Sequence, residues 1–365
     1  MAGTLQKGGA MKKQMPEIRK GMILAAGLGT RLLPITEKVP KPLVPVLNVA
    51  NVLYGLFLLK RSGVGEVILN LHHLPDCIRD FLGDGSEWGM RIEYSQETLL
   101  LGTGGGLKKA QPFFEKEPFI LVNCDFITHA DLKPFLRKHQ THRSLASMIL
   151  WENAQAQAFY SKVGIDGDGR LCSLPLVTTR EPVRTGIFTG IHILEPEVFD
   201  YLEEVPSGIN QVLYPALMRE KENRCYGFFL ENAYWHDTGE LPTFWSASMK
   251  LLEALQSGDG PLREFLKTFG KYEEKKPGIW APAGTALPTN ATLHAPLILG
   301  ENCKIGERCT LGPYTVLGDG SEIADEVSLT KFVALKNSRI PAYQVSGNAL
   351  QFEERLIPMD KALKA

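Results

Sequence analysis

The C-terminal part of the chain carries an apolar residue at every sixth position, and few folds accept that interval. The repeated positions are Leu293, Leu299, Ile305, Leu311, Leu317, Ile323, Leu329 and Leu335. A helix repeats every 3.6 residues and a half-buried strand every second residue, so neither explains a period of six. A solenoid with three flat sides does explain it, because each side then turns one apolar residue inward. The sequence therefore predicts a small three-sided solenoid after about residue 285.

A small side chain often lies four residues after a repeated position, as at Cys303, Cys309, Thr315 and Ser321. This pattern resembles the hexapeptide left-handed parallel β-helix, in which both cysteines would be packing residues. About seven hexads make only two to three coils, and the ends of a solenoid need covering. We therefore expect a homo-oligomer that forms through this module.

The preceding part of the chain alternates short apolar runs with amphipathic segments. Strands are predicted at 22–26, 66–71, 91–95, 119–123 and 145–150, and helices at 52–60, 76–82, 103–114 and 131–142. Such alternation predicts an α/β fold with a Rossmann-like, mostly parallel sheet covered by helices on both faces. Ligands bind beyond the carboxyl ends of the strands in such sheets. The loops that follow three of these strands, at Gly27, Glu97 and Asp125, should therefore open onto one crevice.

The loop after the first predicted strand is equipped to bind phosphate. Its small residues allow a phosphate to approach the backbone, and two cations follow; these positions are Gly27, Gly29, Thr30, Arg31 and Lys41. A Walker loop needs Gly-Lys-Ser/Thr, and a dinucleotide fingerprint needs a third glycine, and this loop has neither. The sequence predicts a nucleotide-binding loop of another kind.

The pattern Gly-x-Gly-Thr-Arg-Leu-x-Pro-x-Thr, followed after a gap by Pro-Lys-Pro-Leu-x-Pro-Val, resembles the signature of the sugar-1-phosphate nucleotidyltransferases. Further matches follow in the family's order, at 97, 101–106, 122–125, 189–191 and 234–239. The resemblance implies an enzyme that transfers a nucleotidyl group from a nucleoside triphosphate to a sugar-1-phosphate and releases pyrophosphate. Because the nucleophile is already an anion, such a reaction needs positioning and charge neutralisation more than a general base.

The resemblance also assigns roles to single residues. Arg31 and Lys41 would be catalytic, and Asp125 and Asp237 would hold a metal. Mg²⁺ is expected there, since a hard ion accepts carboxylate, phosphate and water oxygens together. The nucleotide would meet Leu24, Ala26, Gly27, Gly29, Thr30, Glu97, Gly102 and Thr103, and the sugar would meet Asn123, Thr189 and Gly190.

The sequence does not decide between several possible substrates. Glu97 could accept hydrogen bonds from guanine, which favours GTP with mannose-1-phosphate, or it could act through its backbone or water. The alternatives are uridylyl or other transfer to N-acetylmuramate-1-phosphate or a heptose-1-phosphate. The family's Glu-Lys-Pro element lacks its lysine here, since residues 179–182 read Thr-Arg-Glu-Pro. Arg180 or Arg184 could replace it.

Two other classes of function compete with this interpretation. A non-catalytic regulatory subunit that binds nucleotide sugars is favoured only by the missing lysine. An acyltransferase formed by the solenoid is disfavoured by its short length and its single histidine, His294.

The amino-acid composition limits the partners and the cellular compartment that we expect. The 40 lysines and arginines nearly balance the 41 aspartates and glutamates, so we expect neither nucleic acid nor a membrane as a partner. The six cysteines show no Cys-x-x-Cys spacing, which indicates buried thiols in a reducing, cytoplasmic compartment. We predict a disordered extension at 1–20, a nucleotidyltransferase domain at 21–250, a linker at 251–285, the β-helix at 286–340 and a capping or mobile tail at 341–365.

Overall fold

The computed structural model describes residues 18–154 and 156–359. Most of the predicted extension, residues 1–17, lies outside this part. The prediction of disorder is wrong for its last residues, because Ile18 is buried and Lys20 begins the first strand. No helix in the described ranges has the length and apolar character needed to cross a bilayer.

The N-terminal part combines strands and helices in alternation. Its strands are β1 (Lys20–Leu24), β2 (Pro45–Val46), β3 (Val49–Ala50), β4 (Glu66–Leu71), β5 (Arg91–Gln96), β6 (Phe119–Asn123), β7 (Phe126–Thr128), β8 (Ala146–Trp151), β9 (Lys162–Ile165), β10 (Leu171–Leu174), β11 (Val177–Thr178), β12 (Arg184–Leu194), β13 (Cys225–Phe229) and β14 (Trp235–Asp237). The helices are α1 (Asn51–Arg61), α2 (Pro75–Leu82), α3 (Gly102–Lys109), α4 (Gln111–Phe114), α5 (Lys133–Thr141), α6 (Ile209–Arg219), α7 (Leu241–Gln256) and α8 (Gly260–Thr268). The single helix predicted at 103–114 is thus two helices.

A ten-stranded mixed sheet forms the centre of this part, in the order β11-β10-β9-β12-β6-β1-β4-β5, with β8 between β12 and β13. The strands β6, β1, β4 and β5 are parallel as predicted, whereas β12 runs antiparallel to β6, β8 and β9. Met22 and Ile23 are fully buried in separate clusters on the two faces of the sheet. Because both faces of β1 are covered, its run of apolar residues is continuous rather than alternating. Leu24 lies opposite Asn123, so the loops after β1 and β6 open at the same edge.

Residues 251–285 are folded and do not form the predicted linker. They contain the end of α7, all of α8 and the antiparallel pair β15 (Tyr272–Lys276) and β16 (Ile279–Pro282). Asp259 caps α8, since its Oδ1 accepts a hydrogen bond of 2.8 Å from the Leu262 backbone N–H. Phe265 of α8 packs on Tyr54 with ring centroids 4.1 Å apart. The glycines, prolines and charges of this segment therefore serve helix ends and turns.

The chain then winds into a three-sided structure of mostly parallel strands, residues 279–358, which we name the C-terminal coil. After β16 its strands are β17 (Ala291–Leu293), β18 (Leu297–Leu299), β19 (Lys304–Ile305), β20 (Cys309–Leu311), β21 (Thr315–Leu317), β22 (Glu322–Ile323), β23 (Ser328–Ala334), β24 (Arg339–Ile340), β25 (Val345–Phe352) and β26 (Arg355–Pro358). The strands β19, β22 and β24 form one face, and the long strands β23 and β25 bend around a corner to serve the other two.

The six-residue repeat is confirmed over the first coils and fails in the last. Paired residues such as Lys304 and Glu322 are 18 positions apart, which corresponds to three hexads. The next coil is one residue shorter, because Leu317 pairs with Ala334. Leu335 consequently leaves the interior of the coil and joins the core of the N-terminal part.

The tail folds onto the coil rather than staying free. Strand β25 pairs with β23, and β26 returns antiparallel to β25. One face of the coil packs against the N-terminal part, since Ile298, Val316 and Val333 belong to the same buried cluster as the sheet residue Ile23. The last residues of the predicted tail, 360–365, lie outside the described part.

All six cysteines lie in the described part of the chain and are free thiols. Four of them are buried as predicted, namely Cys124, Cys172, Cys225 and Cys309. The prediction is wrong for Cys77, which is exposed on the polar side of α2, and Cys303 is half-buried.

Candidate functional site

The loop after β1 is folded around Gly29. This residue has φ +68°, and a Cβ there would lie 2.8 Å from the Thr36 side chain and 3.0 Å from Cβ of Lys41, so only glycine fits. The Thr36 hydroxyl donates to the Gly29 carbonyl at 2.8 Å and fixes the turn. Among residues 18–154 and 156–359, nothing lies within 4 Å of a Cβ built on Gly27, so that stretch of backbone is accessible to a ligand. Ala26 beside it is buried beneath the loop.

Lys41 and Asp125 form an ion pair at the edge of the sheet. The Lys41 Nζ donates to Oδ2 of Asp125 at 2.6 Å, and their side chains are 11% and 24% exposed. Burial is the largest single influence and acts to lower the pKa of Lys41, but the charge and the hydrogen bond of Asp125, together with the neighbouring Cys124, raise the pKa above its usual value. The loop therefore places a permanent positive charge next to the carboxylate that follows β6.

Asp237 lies directly beside Asp125, because β14 pairs antiparallel with β7. Its Oδ1 accepts from the Gly239 N–H at 2.8 Å and its Oδ2 from the Tyr160 hydroxyl at 2.9 Å. Within the described chain no lysine or arginine is in ion-pair contact with it. Burial raises the pKa of Asp237, and the neighbouring Asp125 carboxylate raises it further.

The charged groups converge on one small volume. The position that a Cβ on Gly239 would take lies 3.0 Å from Oδ1 of Asp237, 3.4 Å from Oδ2 of Asp125 and 3.3 Å from Nη2 of Arg31. Arg31 is held there by Glu240, whose Oε1 accepts from Nη1 at 2.6 Å. Gly239 has no side chain, which leaves this volume free.

The donor set suits a hard divalent cation. Two carboxylates face the volume, and no group of three or more metal-ligating side chains occurs in residues 18–154 and 156–359. Such a cation would be bound by two protein oxygens, with phosphate and water oxygens completing its shell.

Glu97 connects two loops instead of facing the crevice. It is 2% exposed, its Oε1 accepts from Asn70 Nδ2 at 2.8 Å, and its Oε2 accepts from the Leu101 N–H at 2.8 Å. Asn70 in turn accepts from the Ala25 N–H at 2.9 Å. Both carboxylate oxygens are thus engaged, which supports the alternative that Glu97 acts through the backbone rather than on a base directly.

Gly102 and Thr103 begin α3 and are exposed. Gly102 has φ +67°, and a Cβ there would lie 2.5 Å from the Ser207 carbonyl oxygen. The Thr103 hydroxyl accepts from the Ile209 N–H at 2.9 Å. The loop is therefore anchored to the segment before α6 while its outer surface stays accessible.

The residues assigned to the sugar divide into two groups. Asn123 ends β6 beside Gly190, whose φ is +86° and whose Cβ would lie 3.1 Å from Cβ of Asn123. Thr189 does not reach the crevice with its hydroxyl, since it is fully buried and donates to the Ile149 carbonyl at 2.8 Å. Arg180 is paired with Asp166 and Arg184 with Glu152, so both candidate replacements for the missing lysine have partners elsewhere.

A sequence profile described as "Nucleotidyl transferase" matches residues 20–254, well over half of the chain. The chain belongs to this family. A UTP–glucose-1-phosphate uridylyltransferase from Synechocystis is 31% identical over 305 residues, which cover 78% of this chain and 75% of that protein. Mannose-1-phosphate guanyltransferase 2 from Candida glabrata is 33% identical over 239 residues, or 65% of each chain. The solved structure of HddC from Yersinia pseudotuberculosis is 26% identical with a TM-score of 0.53, and the match covers 64% of this chain and 99% of that one.

These findings confirm the predicted enzyme class, a nucleotidyltransferase acting on sugar-1-phosphates, and its α/β fold. Nucleotidyl transferases of this kind use a divalent metal, in keeping with the two carboxylates of the crevice.

Three residues of this nucleotidyl transferase site escaped the sequence analysis. Asn70 had a signal, because it is the one polar residue within the apolar run of β4. Tyr160 and Glu240 had none: their roles arise from contacts with Asp237 and Arg31 that only the fold creates.

Proposed function

We propose that this nucleotidyl transferase joins GTP and mannose-1-phosphate to give GDP-mannose and pyrophosphate. The convergence of Lys41, Arg31, Asp125 and Asp237 on one volume carries the proposal for the reaction. The similarity to the guanyltransferases of yeasts, at about one third identity, supports the substrates. The longer match to the Synechocystis enzyme favours UTP and glucose-1-phosphate as the second candidate.

The chemistry follows from the charges. The phosphate oxygen of the sugar-1-phosphate attacks the α-phosphorus of the triphosphate, and the bond from that phosphorus to the pyrophosphate oxygen breaks. Arg31 binds the triphosphate, and Lys41 neutralises charge on the reacting phosphates. We propose Mg²⁺ as the ion between Asp125 and Asp237, where it would neutralise phosphate oxygens and hold them in line. Gly27, Gly29 and Thr30 would contact the phosphates through their backbone, and Leu24, Gly102 and Thr103 would border the nucleoside.

The test is pyrophosphate release with Mg²⁺ over four nucleoside triphosphates and several sugar-1-phosphates. Asp125→Asn is run in parallel, with Asp131→Asn as the matched control. Asp131 is exposed, and its Oδ1 accepts from the Lys133 N–H, which asparagine can also do.

We expect one productive pair, a loss of activity in Asp125→Asn and full activity in Asp131→Asn. Turnover of another pair would correct the substrates, and N-acetylmuramate-1-phosphate and a heptose-1-phosphate belong in the grid for that reason. No turnover, together with a rise in Tm on adding a nucleotide sugar, would instead support a regulatory subunit.

We further propose that the protein is a cytoplasmic homo-oligomer whose C-terminal coils contact one another. The free thiols support the compartment. On the face formed by β19, β22 and β24 the exposed charges alternate along the coil axis, in the order Lys304, Glu322, Arg339, Glu354, with ion-pair distances of 2.7, 3.5 and 3.7 Å. Two copies with antiparallel coil axes would oppose a positive charge to a negative one at every step.

Mixing tests this arrangement. Lys304→Glu and Glu354→Lys should each be monomeric alone, because like charges meet across the twofold axis, and should associate when mixed. Arg308→Glu and Glu326→Lys, a stacked pair on another corner, serve as controls. Sedimentation showing association in either single variant would reject this face.

A further inference from the structure

The chain segment that carries Lys41 is attached at both of its ends to the C-terminal coil. At one end Lys38 Nζ donates to Oε1 of Glu353, in the turn between β25 and β26, at 2.6 Å. At the other end Asn48 Nδ2 donates to the Leu317 carbonyl of β21 at 2.7 Å. The two contacts bracket the catalytic lysine.

The second contact lies at the tip of a strained hairpin. The turn between β2 and β3 is made by Leu47 and Asn48, with φ values of +49° and +63°. The left-handed region costs a branched side chain about 1 kcal/mol or more, so surrounding contacts must hold Leu47 in it. Leu47 is 1% exposed and belongs to the buried cluster that also contains Ile298 and Val316 of the coil. The hairpin tip is thus buried at the seam between the two parts of the molecule.

Between the two attachments the segment is short and internally bonded. Lys41 begins a single 3-10 turn, with the Val44 N–H donating to its carbonyl at 3.2 Å, and the hairpin follows at once. The Asn51 N–H donates back to the Val44 carbonyl at 3.2 Å. The hairpin tip and Lys41 are thus joined by a short hydrogen-bonded segment, and Cβ of Lys41 also lies 3.0 Å from the Cβ position of Gly29.

We propose that the C-terminal coil positions Lys41 for catalysis. The positioning residues are Asn48, Lys38 and Glu353, which attach the segment of Lys41 to the coil. The inference rests on the proposed role of Lys41 in the reaction. It makes the coil a working part of the active site.

The alternative is that the coil only stabilises the fold by covering apolar surface. Asn48→Asp separates the two, because aspartate keeps the size and tolerates the left-handed backbone but cannot donate to the Leu317 carbonyl. Asn290→Asp is the matched control. Asn290 Nδ2 donates to the Ile305 and Gly306 carbonyls at 2.9 and 3.1 Å, entirely within the coil.

We expect Asn48→Asp to lower kcat about tenfold while the KM for the triphosphate stays unchanged, since a displaced catalytic group costs rate more than binding. Asn290→Asp should lower Tm comparably and leave kcat unchanged. A readout without turnover is the rate at which Lys41 is labelled by pyridoxal 5′-phosphate and borohydride, followed by mass spectrometry. Labelling should be faster in Asn48→Asp and unchanged in Asn290→Asp.

Equal losses of kcat in the two variants, or no change of kcat and labelling in Asn48→Asp, would overturn the proposal. Lys41→Met distinguishes this failure from that of the proposed function. If Lys41→Met stays active, the assigned role of Lys41 is wrong, whereas the labelling rates still report whether the coil positions the lysine.

The other attachment gives an independent test. Glu353→Lys should reduce kcat by about twofold, because exposed ion pairs are weak, and Lys38→Glu combined with Glu353→Lys should restore it. Glu326→Lys, which breaks the comparably exposed Arg308–Glu326 pair outside the proposed interface, should leave kcat unchanged. Absence of rescue in the double variant would remove Lys38 and Glu353 from the proposal.

Discussion

The crevice and the C-terminal coil arrange their charges in opposite ways. In the coil each exposed charge on the face of β19, β22 and β24 lies beside one of opposite sign. In the crevice Lys41 pairs with Asp125 and Arg31 with Glu240. Among the described residues, however, Asp237 accepts hydrogen bonds from neutral donors alone, the Tyr160 hydroxyl and the Gly239 N–H. The coil is thus arranged for stability, whereas the crevice keeps an uncompensated negative charge that a cation and phosphates can use.

Replacing Lys41 in the crevice should cause the largest loss of activity. Lys41→Met removes the cation next to Asp125, and we expect kcat to fall about a thousandfold. Steady-state rates measure this, and Lys304→Met in the coil is the control. Comparable losses of kcat in Lys41→Met and Lys304→Met would mean that the charge of Lys41 has no particular role in catalysis.

Asp237→Asn should separate activity from stability. We expect kcat to fall about a hundredfold while Tm at pH 7 rises by about 2 °C. Because the pKa of Asp237 is raised in the folded state, folding binds this proton more tightly, and the free energy of unfolding decreases as the pH rises above the ordinary value of 3.8. Asparagine cannot ionise, so the variant does not lose this free energy of unfolding at neutral pH.

The Tm difference between Asp237→Asn and the original protein should therefore disappear below about pH 4. Calorimetry across this pH range checks it. A lower Tm in the variant at neutral pH would show that the carboxylate stabilises the fold after all.

Neutralising Glu240 should have a moderate effect. Glu240→Gln weakens the hold on Arg31, so the guanidinium is freer for the triphosphate and the KM for the triphosphate should fall about threefold with kcat unchanged. Glu253→Gln, on the exposed side of the same helix, is the control. A rise in KM would indicate that Glu240 positions Arg31 rather than competing for it.

The smallest effect is expected in the coil. Glu322→Gln removes the partner of Lys304 and Arg339, and Tm should fall by no more than about 2 °C with kcat unchanged. Its neighbours lower the pKa of Glu322, so the difference should be present at neutral pH and be lost on acidification. A large loss of activity would contradict the division between the two regions.

The motifs predicted the centre of the site better than its surroundings. The motifs assigned Lys41, Asp125 and Asp237 to one site, and the fold brings them together from different elements. Asp125 follows β6 of the parallel core, Lys41 lies in the long connection after β1, and Asp237 ends β14, which pairs with β7 in a separate two-stranded sheet. The orientations of Glu97 and Thr189 could not be read from the sequence. Their burial depends on Asn70 and Ile149, which are distant along the chain.

The fold, too, was predicted in part from the sequence and missed in part. The period of six predicted the coil, but the loss of one residue in the last coil was invisible, since Leu335 is apolar whether it faces the interior or the N-terminal part. The folded segment 251–285 was mistaken for a linker because helix caps and turns use the same glycines, prolines and charges as flexible chain.

The contact between Lys38 and Glu353 joins residues 315 positions apart. A ribosome delivers the signature loop long before the turn after β25, and domains fold as they emerge. On the proposed role of the coil, the nascent sheet folds before its lysine is in place, and the enzyme gains full activity only after Glu353 has been added and the coil has formed. A chain interrupted between Leu317 and Glu353 would then keep the contact of Asn48 but lack that of Lys38, and it would turn over nucleotide more slowly than the full chain.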